Sequence, residues 1–281
     1  MPGYDLHTHT DLSDGTTSIE ANVADAIELG LEGLGVTDHD TTTPFERALA
    51  AADGTGLDIV LGTEFSAELG GLSVHVLGYG IDPYDEVLRE EMVRLREERT
   101  IRARAIVGRF NDLDVPVTFE RVLQLAGDGP IGRPHIAQAV VETGAAGDTR
   151  EVFDTWLADG GPAYVAKHAV DPVRAVELLR GAGGVAVLAH PGLFGARDGM
   201  TGIPEEAVEA MVGAGLAGIE ADHPDHTETH RDRYRDLARA HDLVVTAGSD
   251  YHGEAKTNRL GSTTTTRSEV ERLLARRPSA G

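Results

Sequence analysis

A chain of 281 residues, 41% hydrophobic, can bury one large α/β core; with no apolar run near ~18 residues and no leader before Tyr4, it reads as cytoplasmic. Cysteine is absent, which excludes disulfides and thiolate zinc sites and leaves His, Asp and Glu as the strong metal ligands. Against 25 Lys and Arg stand 47 Asp and Glu, and the net charge of −22 argues against an extended basic groove for long nucleic acid, although a few arginines can still grip one or two phosphates.

YDLH, starting at Tyr4, predicts a first strand. TSIEANVADAIELG then sets Ile19, Val23 and Ile27 on one helical face, with Thr17 and Glu20 as a capping box and Gly30 as the stop. LGVTDHD predicts a second strand, followed by a helix from Pro44 to Ala52. LDIVLGTEFSAE and SVHVLGYG predict a third and a fourth strand. Right-handed crossovers of a βαβα beginning build a parallel sheet or barrel. From Tyr84 to Val165 the pattern changes to a long charged helix and several shorter helical pieces split by Gly, Pro and Asp. Residues 84–165 are therefore expected to form a helical insertion, a lid or substrate-binding subdomain, in a main body made of 1–83 and 166–281. Its Arg and Glu stripe from 89 to 104 reads as a solvated face. Alternation then resumes: helix 172–181, strand GVAVLAH, helix 204–213, strand AGIEAD, helix 227–241, strand LVVTAGSD and a last helix near 268–277.

The strand ends carry the chemistry. In parallel α/β architectures they open on one face, so polar groups far apart in sequence converge there. Residues i and i+2 of a strand point the same way, and His7 and His9 can therefore present two imidazoles to one ion. Alone, such a pair is more often a structural one. Joined by His39 in TDHD, Glu64 in GTEFS, His75 in SVHVLGYG, His190 in AHP, and Asp250 and His252 in GSDYH, it predicts a metal site of nitrogen and oxygen donors. Asp5, Asp38 and Asp40 flank these residues and are expected to fix imidazole tautomers or to accept strand-end hydrogen bonds.

In combination, DLHTHTDLSDGTTS, GVTDHDTT, GTEFS, AHP and GSDYHG resemble the successive motifs of the PHP (polymerase and histidinol phosphatase) superfamily, over nearly the whole chain. The resemblance implies an α/β fold, a distorted (β/α)7 barrel with two or three divalent ions, Mn, Fe or Zn, at its C-terminal mouth. The insertion bearing GRPHIA resembles the subgroup of 3′,5′-nucleoside bisphosphate phosphatases and 5′-to-3′ exoribonucleases. Carried over by residue, one ion is expected on His7, His9, Glu64 and Asp250. A second would share Glu64 and add His75 and His190, and a third would sit on Asp14, His39 and His252. The implied activity is hydrolysis of a small phosphate ester through a metal-bound hydroxide, foremost the 3′-phosphate of a 3′,5′-bisphosphorylated nucleotide. The alternatives are a 5′-3′ exoribonuclease on short RNA, a histidinol-phosphate-type phosphatase, or a metal-binding module without turnover. The complete ligand set speaks against the last.

The expected partner is thus a small phosphorylated substrate, with no membrane. Arg133 and His135 in IGRPHIA are expected to bind its phosphate, Arg offering a bidentate fork, with an ion pair at a helix start as the alternative for Arg133. After strand AGIEAD, His223 or His226 is expected at the mouth, to bind phosphate or protonate the leaving oxygen. His230 is expected on the surface and His241 at a helix end. Lys167 and His168 are further candidate phosphate contacts.

Overall fold

The structure, a computed structural model, describes residues 3–127, 131–158, 160–166, 169–193 and 202–278. Lys167 and His168 lie outside the described residues. The chain divides into two compact units, Met1–Met92 with Ala169–Gly281, and Val93–His168.

The first unit is built on a seven-stranded sheet in sequential order: β1 (Tyr4–Asp5), β2 (Gly33–Val36), β3 (Asp58–Leu69), β4 (Leu72–Tyr79), β5 (Val185–Leu188), β6 (Gly218–Asp222) and β7 (Val244–Ala247). Beyond the ends of β1 and β7, Thr8 bridges Tyr251 in parallel register, which curls the sheet into a nearly closed barrel. The expected all-parallel progression fails at one place. β4 runs antiparallel to both β3 and β5. Its cause is local: Leu69 pairs with Leu72, and the two residues between them, Gly70 and Gly71, take φ of 56° and 90°. Positive φ at both centres of a two-residue loop gives the turn whose twist suits a hairpin. β3 therefore returns directly as β4, without a crossover helix.

Helices α1 (Ile19–Glu28) and α2 (Phe45–Ala52) cover the early strands. Ile19, Val23 and Ala26 of α1 pack with Ala48 of α2 against Leu34 and Val36 of β2. Each fully buried Leu, Ile or Val side chain contributes about 1.5–3 kcal/mol. Two details of α1 differ from expectation. Ser18, not Thr17, caps it, accepting from the Ala21 N–H, while the Thr17 hydroxyl donates to Asn22 Oδ1 at 2.6 Å. Ile27 is 41% exposed. Eight residues on from Ile19, it lies about 80° round the helix and misses the buried stripe that Ala26 completes. Gly30 ends the turn as expected, with φ of 70°. Later in the same unit come α7 (Pro172–Gly181), α8 (Glu205–Gly213), α9 (Glu228–Ala240) and α10 (Arg267–Leu274).

The long helix α3 (Glu86–Asp112) leads into the second unit, which adds α4 (Phe119–Ala126), α5 (Arg133–Glu142), α6 (Thr149–Val152) and a π-helical turn, Phe153–Leu157. That unit has its own core, with Ile106, Phe110, Val122, Ile136, Val140 and Leu157 all buried together. The charged stripe of α3 is largely solvated, with Arg89, Glu90, Arg94, Glu97 and Arg104 exposed, and two of its arginines also make local contacts. Arg104 stacks over Phe119 at 3.9 Å from its ring centre, and Arg102 donates to the Val165 carbonyl at 2.8 Å. Among the described residues no helix is long and apolar enough to cross a membrane.

Candidate metal centre

Barrel closure is what turns the two histidines of HTH inward. Thr8, between them, donates its hydroxyl to the Gly35 carbonyl at 2.6 Å, and the His9 N–H donates to the Tyr251 carbonyl at 2.9 Å. With Thr8 tied to the wall, His7 and His9 face the interior and are fully buried. The fit is close. A Cβ on Gly248 would lie 2.3 Å from the Cβ of His7 and 2.7 Å from Glu220 Oε1. Asp40, His190 and Asp250, each just past a strand or its bridge, take positive φ of 52°, 24° and 51°. Non-glycine residues held there cost on the order of 1–3 kcal/mol each and cluster at functional sites. Here the turned backbone re-aims three side chains at the strand ends.

Glu64 is the centre of the constellation. Its Oε2 lies 3.3 Å from His7 Nε2, 3.1 Å from His9 Nε2 and 3.2 Å from His39 Nδ1. Its Oε1 lies 2.6 Å from His75 Nδ1 and 2.9 Å from His190 Nε2. Asp250 Oδ1 joins the first side, 3.3 Å from His9 Nε2 and 3.6 Å from His7 Nε2. Asp14 forms a neighbouring focus, 3.1 Å from His252 Nε2 and 3.6 Å from both His39 Nε2 and His9 Nδ1. His9 and His39 thus face two foci with their two nitrogens, whereas the expected sets shared only Glu64. His75 sits in the middle of β4, opposite Ser66, so the hairpin is what delivers it.

The residues fit a metal by an independent sign. His7 Nε2, His9 Nε2, His252 Nε2 and Asp250 Oδ1 are buried with no hydrogen-bond partner, although buried polar atoms are normally bonded. Their lone pairs converge, and four donor groups satisfying metal-site spacing occur around them. Their other atoms are engaged. His7 Nδ1–H donates to Glu220 at 3.1 Å, and His252 Nδ1–H donates to the Asp250 carbonyl at 2.8 Å, which fixes each tautomer with Nε2 turned inward. Glu220, 1% exposed on β6, also accepts the His190 N–H at 2.9 Å. Sequence reasoning missed it. A carboxylate inside the apolar strand AGIEAD was the available signal.

Charges in the cluster answer one another. Burial disfavours the His7 imidazolium, but Glu220, Glu64 and Asp250 outweigh it and hold its pKa well above the ordinary value. His9 is raised to about 9 against burial, because the carboxylates of Asp250 and Glu64 face its Nε2 at 3.3 and 3.1 Å. Burial likewise opposes ionisation of Glu64, yet His39, His75 and His7 hold its pKa well below the usual range. Protons and cations compete for such donors, so an ion entering here displaces protons.

The remaining expectations divide. Asp38 accepts from the Thr10 N–H at 2.8 Å, Asp40 from the Ser66 N–H at 2.7 Å and Asp5 from the Ser249 N–H at 2.9 Å, all loop-fixing bonds at strand ends. His223 is fully buried, with Nδ1 accepting from the Asp225 N–H at 3.1 Å; its Nε2–H then faces Asp250 Oδ2 at 3.5 Å. His226 is different. Its Nδ1–H donates to the Ala221 carbonyl at 2.9 Å and its Nε2 accepts from the Gly192 N–H at 3.1 Å. With both nitrogens committed to backbone, His226 holds the loop, which leaves His223 as the freer of the two candidates. His230 is half-buried on α9 with its ring 5.6 Å from that of His226, and His241 is the C-terminal cap of α9 as expected. In the second unit, Arg133 opens α5 with its guanidinium 5.7 Å from the Phe153 ring, and His135 Nδ1 accepts from the Gly132 N–H at 3.1 Å.

Comparison with known proteins gives the constellation its context. Residues 5–100 match the PHP domain. The chain is 32% identical over 251 residues to the 5′-3′ exoribonuclease Rnm of Salmonella typhimurium, covering 89% of this chain and 85% of that protein. It is 33% identical over 261 residues to the 3′,5′-nucleoside bisphosphate phosphatase of Chromobacterium violaceum, covering 92% and 90%. The crystal structure of a protein from Bifidobacterium adolescentis, assigned as a metal-dependent phosphoesterase, superposes with a TM-score of 0.90 at 34% identity, covering 99% of this chain and 97% of that one. Likeness of that extent, in sequence and in three dimensions alike, means that this chain belongs to the PHP family of metal-dependent phosphoesterases.

Proposed function

We propose that this PHP phosphoesterase removes the 3′-phosphate of a 3′,5′-bisphosphorylated nucleotide, with two or three manganese, iron or zinc ions held by His7, His9, Asp14, His39, Glu64, His75, His190, Asp250 and His252. The observation that carries the reading is the sorting of the two Glu64 oxygens, Oε2 toward His7, His9 and His39 and Oε1 toward His75 and His190. A carboxylate so divided can be shared by two cations. When bound, such ions polarise phosphoryl oxygens and acidify water.

The chain's own groups have separable tasks. Glu220 accepts a hydrogen bond from His7 Nδ1–H, which keeps the proton there and leaves the Nε2 lone pair bare. The Asp250 carbonyl does the same for His252. His223, whose Nε2–H faces Asp250 Oδ2 at 3.5 Å, is assigned a hydrogen bond to the departing 3′-oxygen as charge develops on it. Arg133 and His135 are assigned the second phosphate on chemistry, because a guanidinium fork matches phosphate geometry. The name of the C. violaceum relative supports a bisphosphate substrate. The name of the S. typhimurium relative supports a second reading, 5′-3′ trimming of RNA, and the net charge of −22 weighs toward short substrates in either case.

A phosphate-release screen joined to metal analysis tests this. The metal-loaded protein should release phosphate from 3′,5′-bisphosphates faster than from the matching monophosphates, with at least two ions per chain. Preference for histidinol phosphate, or for 5′-phosphorylated oligoribonucleotides, would replace the proposed substrate.

A further inference from the structure

Lysine is scarce in this chain, which has only Lys167 and Lys256. Lys256 follows a single 3-10 turn, Gly253–Ala255, and its Nζ lies 2.6 Å from Asp250 Oδ2. The segment is fixed on both sides of it. The Glu254 N–H donates to Thr16 Oγ1 at 2.8 Å, and Asn258 Nδ2 donates to the Ser249 carbonyl at 3.0 Å. Two ties independent of the lysine's charge therefore set where its backbone runs.

The two oxygens of Asp250 keep different company. Oδ2 faces Lys256 Nζ and His223 Nε2, the latter at 3.5 Å. Oδ1 faces His9 and His7 at 3.3 and 3.6 Å and has no hydrogen-bond partner. The ammonium thus stands one carboxylate away from the point where Oδ1, His7 and His9 converge. The Lys256 side chain, 42% exposed, links that point to solvent, whereas that of Asp250 is 3% exposed. An ammonium carries three N–H donors, and the pair with Asp250 uses one.

We propose that Lys256 is a phosphate-binding residue of this centre: one donor stays on Asp250, and the others take an oxygen of the phosphoryl group being cleaved. The proposal rests on the phosphoesterase reading above. Lysine breaks no bond here; it offsets anionic charge at the lip of a centre whose protein surroundings are rich in carboxylates. A bare structural pair with Asp250 is the competing account, and it predicts a different injury: loss of metal, not loss of phosphate.

The test uses the full chain loaded with Mn²⁺, inorganic phosphate as the binding probe and a 3′,5′-bisphosphate for turnover. Lys256→Met should keep the metal content, weaken phosphate binding measured by calorimetry about tenfold to a hundredfold, and raise KM for the bisphosphate in step. Lys256→Arg should recover most of both. Unchanged phosphate affinity in Lys256→Met at full metal content overturns the proposal. So does a drop in metal content that Lys256→Arg repairs, since that makes the lysine an anchor of Asp250. If the wild type binds phosphate but leaves the bisphosphate intact, the substrate reading falls while a Lys256→Met effect on phosphate still upholds Lys256. A wild type that binds no phosphate at full metal content overturns both.

Discussion

Five imidazoles approach Glu64, three at one oxygen and two at the other, so the consequence of altering it is specific. An amide has one acceptor oxygen, and its nitrogen donates. Glu64→Gln should therefore lose at least one ion per chain and most turnover together, read by elemental analysis and phosphate release, whereas Glu28→Gln on the exposed side of α1 should change neither. Full metal content and full rate in Glu64→Gln would refute the bridge. Glu220 acts at one remove, through His7 Nδ1 and the His190 N–H, and Glu220→Gln should weaken metal binding about 10- to 100-fold by calorimetric titration without unfolding the barrel. That His7, His9, Glu64, His190 and Asp250 share one place was legible, because each is a polar residue at or after an apolar run, although Glu64 proves to lie within β3 and not at its end. Glu220 was not legible in the same way: on a strand whose side chains alternate, nothing in AGIEAD alone says which face Glu220 takes. Nor could sequence separate His223 from His226, since the distinction lies in which backbone groups each ring meets.

At the level of elements, the β3–β4 hairpin and the turns after β6 and β7 place the chemistry. The Gly70-Gly71 pair was a hairpin signal in plain view, overridden by the run of βα alternation before it. Two turn predictions follow from contacts that sequence could not supply. Gly248→Ala would drive a methyl group against His7 and Glu220, and should cost roughly 1–3 kcal/mol in denaturant unfolding along with metal affinity. His226 supplies a pH test. Burial, its leading cause, holds the pKa below the ordinary 6.5, and protonating Nε2 would set a donor against the Gly192 N–H. A depressed pKa on a base means that its stabilisation is complete above 6.5 and is lost as pH falls through the folded value. The stability difference between the wild type and His226→Gln, compared by urea unfolding of metal-free protein, should therefore shrink as pH falls from about 7.5 to about 5.5. A difference that stays constant would show that His226 does not titrate in that window.

On the scale of the whole molecule, alternation of strands and helices indicated a barrel interrupted by a helical stretch, while the closing bridge between Thr8 and Tyr251 was invisible because it joins residues 243 apart with no shared pattern. The second unit, with its own buried core, presents the question that matters most for specificity. Arg133 begins α5 there, and its assignment to a second phosphate stands on guanidinium chemistry, so kinetics must decide it. If Arg133 holds the phosphate that is not cleaved, the group exists in a 3′,5′-bisphosphate and is missing from the 3′-monophosphate. A charge-assisted contact of about 1.5–3 kcal/mol corresponds to roughly a tenfold to hundredfold change in kcat/KM. Arg133→Ala should impose that loss on the bisphosphate and leave the monophosphate within a few-fold of wild type. A variant damaged in folding or in metal loading would lose both activities in proportion, which makes the ratio of the two substrates, and not either rate alone, the quantity to measure. Equal losses at full metal occupancy would remove Arg133 from substrate recognition and return it to the alternative of an ion pair at a helix start.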